Sequence, residues 1–309
     1  MPVSKNRNNL THKKGMILFT MMIPGVLYLL FNNYLPMAGV IIAFKNINYT
    51  KGILGSPWVG LKNFEYLFRT TDAFVITRNT LLYNISFIII NLITSVILAL
   101  LLNEVTKKAL TRFFQSVILL PYLISMVIVG YLVFAMLSAE SGFLNNSILP
   151  ALGMKEIMWY AEPKYWPIIL TLVNMWKQAG YLCVIYYAAI IGLDKGLYEA
   201  AELDGAGRLR QIWHITLPQI KQVIVTMTLL QIGRIFYSDF GLFFQVTLDT
   251  GALMPTTNVI DTYVYRALMN LGDISMSSAA GLYQSLVGFV LVLASNRLVR
   301  KIDSENALF

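Results

Sequence analysis

The sequence predicts an all-α polytopic membrane protein, a helical bundle with six transmembrane helices. Three observations predict it. First, 57% of the 309 residues are hydrophobic and only 13% are charged, whereas a water-facing domain carries about 25% charged residues. Mean hydropathy is +0.62. Second, six stretches reach the roughly 20 apolar residues needed to cross a bilayer. Third, lysine and arginine favour alternate connections, the orientation signal of a multi-pass chain. The composition also excludes other classes. Cys183 is the one cysteine, so neither a disulfide framework nor a cysteine metal site is available. His12 and His214, the two histidines, lie too far apart to suggest a metal pair. The formal charge of +8 is read as membrane orientation, not as a nucleic-acid footprint.

The first stretch runs from about Gly15 to Phe44 and contains Pro24, Pro36 and the Asn32-Asn33 pair, which predicts a tilted, kinked or over-long helix. Its apolar run is too long for a cleaved signal peptide, and no small-residue cleavage site follows. The second runs from about Leu81 to Leu102, and the third from about Phe113 to Leu137 with Pro121 near its start. The fourth covers about Tyr165–Leu193, the fifth Gln219–Val246 and the sixth Met276–Leu298. The longest polar connection is roughly Lys45 to Thr80. Residues 15–309 read as one membrane domain behind a cytoplasmic tail of residues 1–14.

With the N-terminus inside, fourteen basic residues face the cytoplasm, including Lys5, Arg7, Lys13, Lys14, Lys107, Lys108, Arg112, Arg297, Arg300 and Lys301. Eight face outward, five of them in the first outer connection, and Lys177 and Arg234 fall inside spans. Both termini are therefore expected in the cytoplasm of a prokaryotic inner membrane.

The connection between the fourth and fifth spans, Leu193 to Lys221, is the most informative segment. Asp194 is placed to cap a helix by accepting free backbone N–H groups, and that helix would run to about Asp204. Gly205 and Gly207 would break it, because glycine tolerates the positive φ of a tight reversal. A second, amphipathic helix is expected over about Arg208–Thr216, with Leu209, Ile212, Trp213 and Ile215 on its apolar side. Pro218 would end it and begin the next span.

Within this loop, over residues 194–218, Glu199-Ala200-Ala201 is followed after three residues by Gly205, and after nine more by Ile215, then Leu217-Pro218. These spacings match the EAA loop, and the chain resembles the ABC importer permeases of the type I fold at every signature position. The resemblance implies a cytoplasmic coupling helix seated in an ATPase cleft. It gives ATPase-coupling roles to Glu199, Ala200, Ala201, Asp204, Gly205, Ile215, Leu217 and Pro218. The sequence contains no G-x-x-x-x-G-K-[ST] phosphate loop, so ATP and Mg²⁺ would sit on partner ATPase chains. No cofactor is expected on this chain, and it is expected not to be an enzyme.

Further segments resemble the carbohydrate branch of that family: Pro57 to Phe64, Arg78-Asn79-Thr80, Asn258 to Arg266, and Asn296-Arg297-Leu298. Within that branch the chain resembles LplB-type and alginate-importer permeases for oligosaccharides and polysaccharide fragments, related to the large maltose permease subunit. The chain lacks that subunit's inserted extracytoplasmic domain. The resemblance implies a second homologous permease, two copies of a sugar-type ATPase, an extracytoplasmic solute-binding protein and alternating access. A permease for a non-sugar solute such as a peptide is the alternative.

Polar groups in a bilayer usually face a bundle interior or a water-filled path. The fourth span carries Asn174, Lys177, Gln178 and Tyr181, and the fifth carries Gln231, Arg234, Tyr237, Ser238 and Asp239. At helical spacing Asn174, Gln178 and Tyr181 share one face, as do Gln231, Arg234 and Ser238. A sugar site needs hydrogen-bonding groups and an aromatic ring, and both faces supply part of that set. Counted from Glu199, they fall where related maltose permeases place sugar contacts. The competing reading is that these groups satisfy one another between helices, with Lys177 or Arg234 paired to Asp239. Arg234 suits a carboxylate, which it can bind in bidentate fashion, but it also bonds hydroxyls. Tyr283, Gln284 and Ser285 are weaker candidates, and Asn84 and Asn91 read equally well as interhelical bonds. Trp159, Tyr160 and Trp166 read as interface anchors.

Overall fold

The computed structural model describes residues 5–302. The tail residues 1–4 and the side chains of Lys5, Arg7, Lys13, Lys14 and Lys301 lie outside the described part. Among the described residues the chain is helical apart from turns and one isolated bridge, Lys45 with Trp58. The main helices are α1 (Lys5–Leu29), α2 (Lys62–Arg69), α3 (Asp72–Asn103), α4 (Lys108–Leu123), α5 (Met126–Leu137) and α6 (Trp166–Ile191). There follow α7 (Lys195–Leu203), α8 (Arg208–Gln211), α9 (Leu217–Ile232), α10 (Ile260–Met269) and α11 (Ile274–Ile302).

Five continuous helical runs are long and apolar enough to cross a membrane: Leu18–Phe44, Asp72–Asn103, Pro163–Ile191, Arg208–Ile232 and Ile274–Arg297. The second, fourth and sixth predicted spans are whole helices. The third is not: α4 and α5 meet at 94°. Pro121 begins the change and Ser125 starts α5 afresh, its hydroxyl accepting the Ile128 N–H at 3.4 Å. The fifth predicted span, Gln219–Val246, is also corrected. Its helix stops at Ile232, and residues from Gly233 to Asp239 leave the helical ladder.

Prolines shape the remaining irregularities. Proline lacks an N–H and its ring strikes the carbonyl four residues back, and a wider π turn just before it relieves that clash. Such turns lie at Leu30–Tyr34 before Pro36, Leu144–Ile148 before Pro150 and Ile212–Thr216 before Pro218. Pro218 therefore does not end the loop's second helix. That helix continues through the π turn into α9.

α3 and α6 form the centre. One apolar cluster joins Tyr83, Phe87, Trp166, Leu170, Leu242 and Phe243, and a second joins Ala99, Leu182, Cys183, Tyr186 and Ile220. Trp166 is 0% exposed and its indole N–H donates to the Trp159 carbonyl at 2.7 Å. It is a core residue, not the interface anchor its position suggested. Tyr160 donates to the Val246 carbonyl at 3.2 Å, and burial pushes its phenol up to about 12. The connection from Lys45 to α3 is folded around Lys45, whose buried ammonium donates to the Ile53 and Leu54 carbonyls, each at 2.9 Å. The apolar run Leu18–Phe44 stands apart: 6% of its most apolar window is buried within the chain.

Candidate functional site

The first half of the site is the bend of the third span. A helix end leaves carbonyls without partners, and a cation placed there also meets the negative end of the helix dipole. Lys177, projecting from α6, supplies that cation. Its Nζ donates to the Pro121 and Tyr122 carbonyls at 3.3 and 3.2 Å and to the Ile124 carbonyl. One turn on, Gly180 touches α4: a Cβ there would lie 1.9 Å from the Ile118 carbonyl oxygen. Tyr181 stacks on Tyr122 with ring centroids 4.8 Å apart and planes at 13°. Both rings keep an exposed side. Gln178, half-buried, makes no side-chain hydrogen bond among the described residues. Asn174 is buried and accepts from the Asn91 amide at 2.8 Å, so the interhelical reading holds for that pair.

The second half is the break after α9. Gly233 is followed by tight turns: Arg234 N–H donates to Gln231 and Ile235 N–H to Ile232, each at 3.0 Å. Arg234 and Ser238 therefore do not share a helical face with Gln231, as the sequence spacing predicted. Gln231 bonds only its own helix, at 3.5 Å to the Met227 carbonyl. Arg234 is exposed, and its guanidinium has no partner among the described residues. Tyr237 is exposed beside it. Asp239 caps the following turn by accepting the Leu242 N–H at 3.1 Å. Neither Lys177 nor Arg234 pairs with it in an ion pair. The Ser238 N–H donates to Asp261 at 2.7 Å.

The two discontinuities abut. A Cβ on Gly241 would lie 2.8 Å from Met126, the first residue of α5, and one on Gly130 would lie 2.7 Å from the Gln245 carbonyl. Bend and break thus place Tyr122, Arg234, Tyr237 and Asp239 on or beside neighbouring irregular segments, with Tyr181 stacked on Tyr122 from the continuous helix α6. Irregular backbone at membrane depth is tolerated where it is buried in protein or lines a water-filled path. Tyr122 and Asp261 have no assigned role in the sequence reading. The Pro121-Tyr122 pair inside an apolar run was the available signal for the first. Asp261 falls inside the Asn258 to Arg266 resemblance, but nothing in the sequence ties it to the fifth span.

The C-terminal end of α6 leads into the loop of residues 194–218. Asp194 caps α7, its carboxylate accepting the Gly196 N–H at 2.9 Å. The far end of α7 closes with a Schellman motif. Ala206 N–H donates to Ala201 at 2.8 Å, Gly205 N–H donates to Glu202 at 3.0 Å, and Gly205 stands at φ +77°. Gly207, at φ −68°, needs no glycine freedom, so the reversal rests on Gly205 alone. Tyr198 and Thr216 hydroxyls meet at 2.9 Å and tie the two limbs. Arg208 approaches Glu202 at 3.4 Å and Glu104 at 3.9 Å. Glu199, Ala200 and Asp204 are exposed, as is Pro218, while Ala201, Ile215 and Leu217 are half-buried. Leu203, at the tip, is 90% exposed. Behind the loop lies a cavity of about 720 Å³ lined by Glu104, Arg112, Glu199, Glu202 and Arg208 among others.

A family model described as the binding-protein-dependent transport system inner membrane component matches residues 91–304. The polygalacturonan/rhamnogalacturonan transport system permease protein YteP of Bacillus subtilis (strain 168) is 40% identical over 288 residues, covering 93% of this chain and 89% of that one. Protein LplB of the same organism is 36% identical over 294 residues, covering 95% and 91%. In a bacterial ABC transporter involved in the import of the acidic polysaccharide alginate, one chain superimposes with TM-score 0.85. The two are 31% identical, and the match covers 96% of this chain and 99% of that one. A second structure, of a bacterial alginate ABC transporter with an alginate pentasaccharide-bound periplasmic protein, gives TM-score 0.83 at 31% identity, covering 94% and 96%.

Proposed function

We infer the role of this chain from the premise that it belongs to the family of binding-protein-dependent transport system inner membrane components. It is a multi-pass inner-membrane permease of a carbohydrate ABC importer, and its cargo is an oligosaccharide or polysaccharide fragment. The finer parts are our reading. The active complex would join this chain to a second homologous permease, two sugar-type ATPase subunits and an extracytoplasmic binding protein. Both termini would lie in the cytoplasm, and ATP and Mg²⁺ would be held by the ATPase chains. The exposed first span suits contact with the second permease. The rigid, exposed knob of α7 suits an ATPase cleft. ATP-driven closure of the ATPases would move the knob and open the path outward, and hydrolysis would reset it.

The observation that carries the substrate reading is the abutting bend and break with an unpartnered Arg234 beside exposed tyrosines. A free guanidinium on a membrane-embedded path favours an acidic sugar, whose carboxylate it grips with two parallel bonds. The names of the polygalacturonan and alginate relatives point the same way. The test is ATPase activity of the reconstituted complex, with its binding protein, across neutral and uronate oligosaccharides. Selective stimulation by uronates is expected, and stimulation by peptides alone would discard the carbohydrate reading. Arg234→Gln should raise the half-saturating uronate concentration about tenfold or more, since a charged hydrogen bond contributes roughly 1.5–3 kcal/mol. Its response to neutral sugars should not move.

Coupling is tested separately. Glu199→Lys should abolish sugar stimulation of ATP hydrolysis while the permease still inserts and is recovered from membranes in normal amount. Coupled uptake at the wild-type rate would remove Glu199 from the coupling surface.

A further inference from the structure

The break after α9 strands two backbone groups. In a continuous helix the Phe236 carbonyl and the Ser238 N–H would each have a partner four residues away. Here neither does, and a buried backbone group without a partner costs about as much as a lost hydrogen bond. Both are satisfied from elsewhere in the chain. Asp261 Oδ2 accepts the Ser238 N–H at 2.7 Å. The Gln284 amide donates to the Phe236 carbonyl at 3.1 Å and to Asp261 Oδ1 at 3.1 Å. Gln284 is buried in α11, and Asp261 lies in the first turn of α10. α10 is itself tied to α3, its Ile260 N–H donating to the Thr80 hydroxyl at 3.2 Å. It is tied to the segment after the break as well, through Arg266 and Asp249 at 2.5 Å.

The chemistry of this junction is specific. Both partners of Asp261 are donors. An ionised carboxylate is acceptor-only and meets both. An asparagine there must turn its NH₂ toward one of them. The Ser238 hydroxyl is buried without a partner, so the residue is held through its backbone. We propose that Asp261, with Gln284, is a positioning clamp for the substrate path. It holds the unwound segment so that Arg234 and Tyr237 face the cargo, and α10 acts as the lever that carries the clamp. This inference rests on reading the break as part of the sugar path.

The experiment uses the full complex with Cys183→Ala, which removes the chain's one cysteine. Tyr237→Cys is then labelled with a small, polar methanethiosulfonate reagent. Asp261→Asn is expected to change the labelling rate at that position at least threefold. In the chain with Tyr237 retained, the same substitution should raise the half-saturating uronate concentration about tenfold, with maximal uptake within twofold of the parent. Gln284→Ala should act in the same direction and serves if Asp261→Asn does not assemble. Combining the two should be no worse than the stronger single change, because both break one unit. Asp261→Glu, which keeps two acceptors, should recover part of the loss. An unchanged labelling rate and unchanged half-saturation, with less assembled complex, would overturn the proposal and leave Asp261 a purely structural residue. A shifted labelling rate in a complex that no sugar stimulates would keep the clamp and discard the sugar reading.

Discussion

Gly180→Ala should destabilise the permease by on the order of 3 kcal/mol, although alanine is the better helix former. The two effects have opposite signs, which makes the outcome decisive. Inside a helix such as α6, glycine to alanine is worth roughly 1 kcal/mol of stabilisation. Against this, the new Cβ would sit 1.9 Å from the Ile118 carbonyl oxygen and 2.6 Å from its carbon. Those atoms are backbone of α4 and cannot rotate away, so the helices must separate. Overpacking of this kind costs about 1–3 kcal/mol and sometimes more, and small residues are what allow membrane helices to approach so closely. Separation would also pull the α4 end away from Lys177, three residues back on α6. The measurement is thermal unfolding of the purified permease in lipid nanodiscs, with the folded fraction by size exclusion. A midpoint equal to or above that of the parent would mean that α4 and α6 do not touch at Gly180.

What could be read from the sequence divides by the range of the interactions concerned. The spans over Asp72–Asn103 and Ile274–Arg297 are continuous apolar windows, and hydropathy alone locates them. The loop of residues 194–218 was legible for a second reason. Asp194 meets Gly196 two residues away, and Ala206 meets Ala201 five residues away. Capping is local chemistry, so spacing reveals it. The breaks in the third and fifth spans were hidden because hydropathy weighs side chains and ignores where backbone bonds go. Their stranded groups are met by Lys177, 53 or more residues beyond the bend, and by Asp261 and Gln284, 23 and 48 residues beyond their partners. No local pattern reports such a debt. The same blindness misplaced Arg234 and Ser238 on one helical face with Gln231. It also set Trp166 at an interface when it fills the core. Asn91 and Asn174 were both visible as intramembrane polar groups, but their 2.8 Å bond needed the helix pairing.

Lys177→Met should be the most damaging single change in the fourth span, and through folding, not through substrate affinity. Methionine keeps the length and apolar stem of lysine, so packing against α4 is largely preserved. It removes the three donors that meet the Pro121, Tyr122 and Ile124 carbonyls. The Pro121 carbonyl keeps the Ile124 N–H at 3.3 Å, but the Tyr122 and Ile124 carbonyls are stranded. Each such acceptor in a buried site costs about 1–3 kcal/mol, so a loss of about 3 kcal/mol is expected. Lys177→Arg keeps the charge but replaces a compact ammonium with a planar fork, which fits carbonyls converging on one point poorly. It should recover only part of the stability. A sugar-contacting role for Lys177 predicts a different pattern: normal yield and melting temperature with a raised half-saturation for uptake. Melting in nanodiscs beside uptake in vesicles separates the two, and a fully stable Lys177→Met protein would end the structural reading. A final cross-check comes from combining the changes. Gly180 and Lys177 lie one turn apart on α6 and act on the same end of α4. If Gly180→Ala already pulls that end out of reach, removing the ammonium as well has less left to break. The double variant should then fall short of the summed losses, as coupled neighbours do, whereas two independent defects would add.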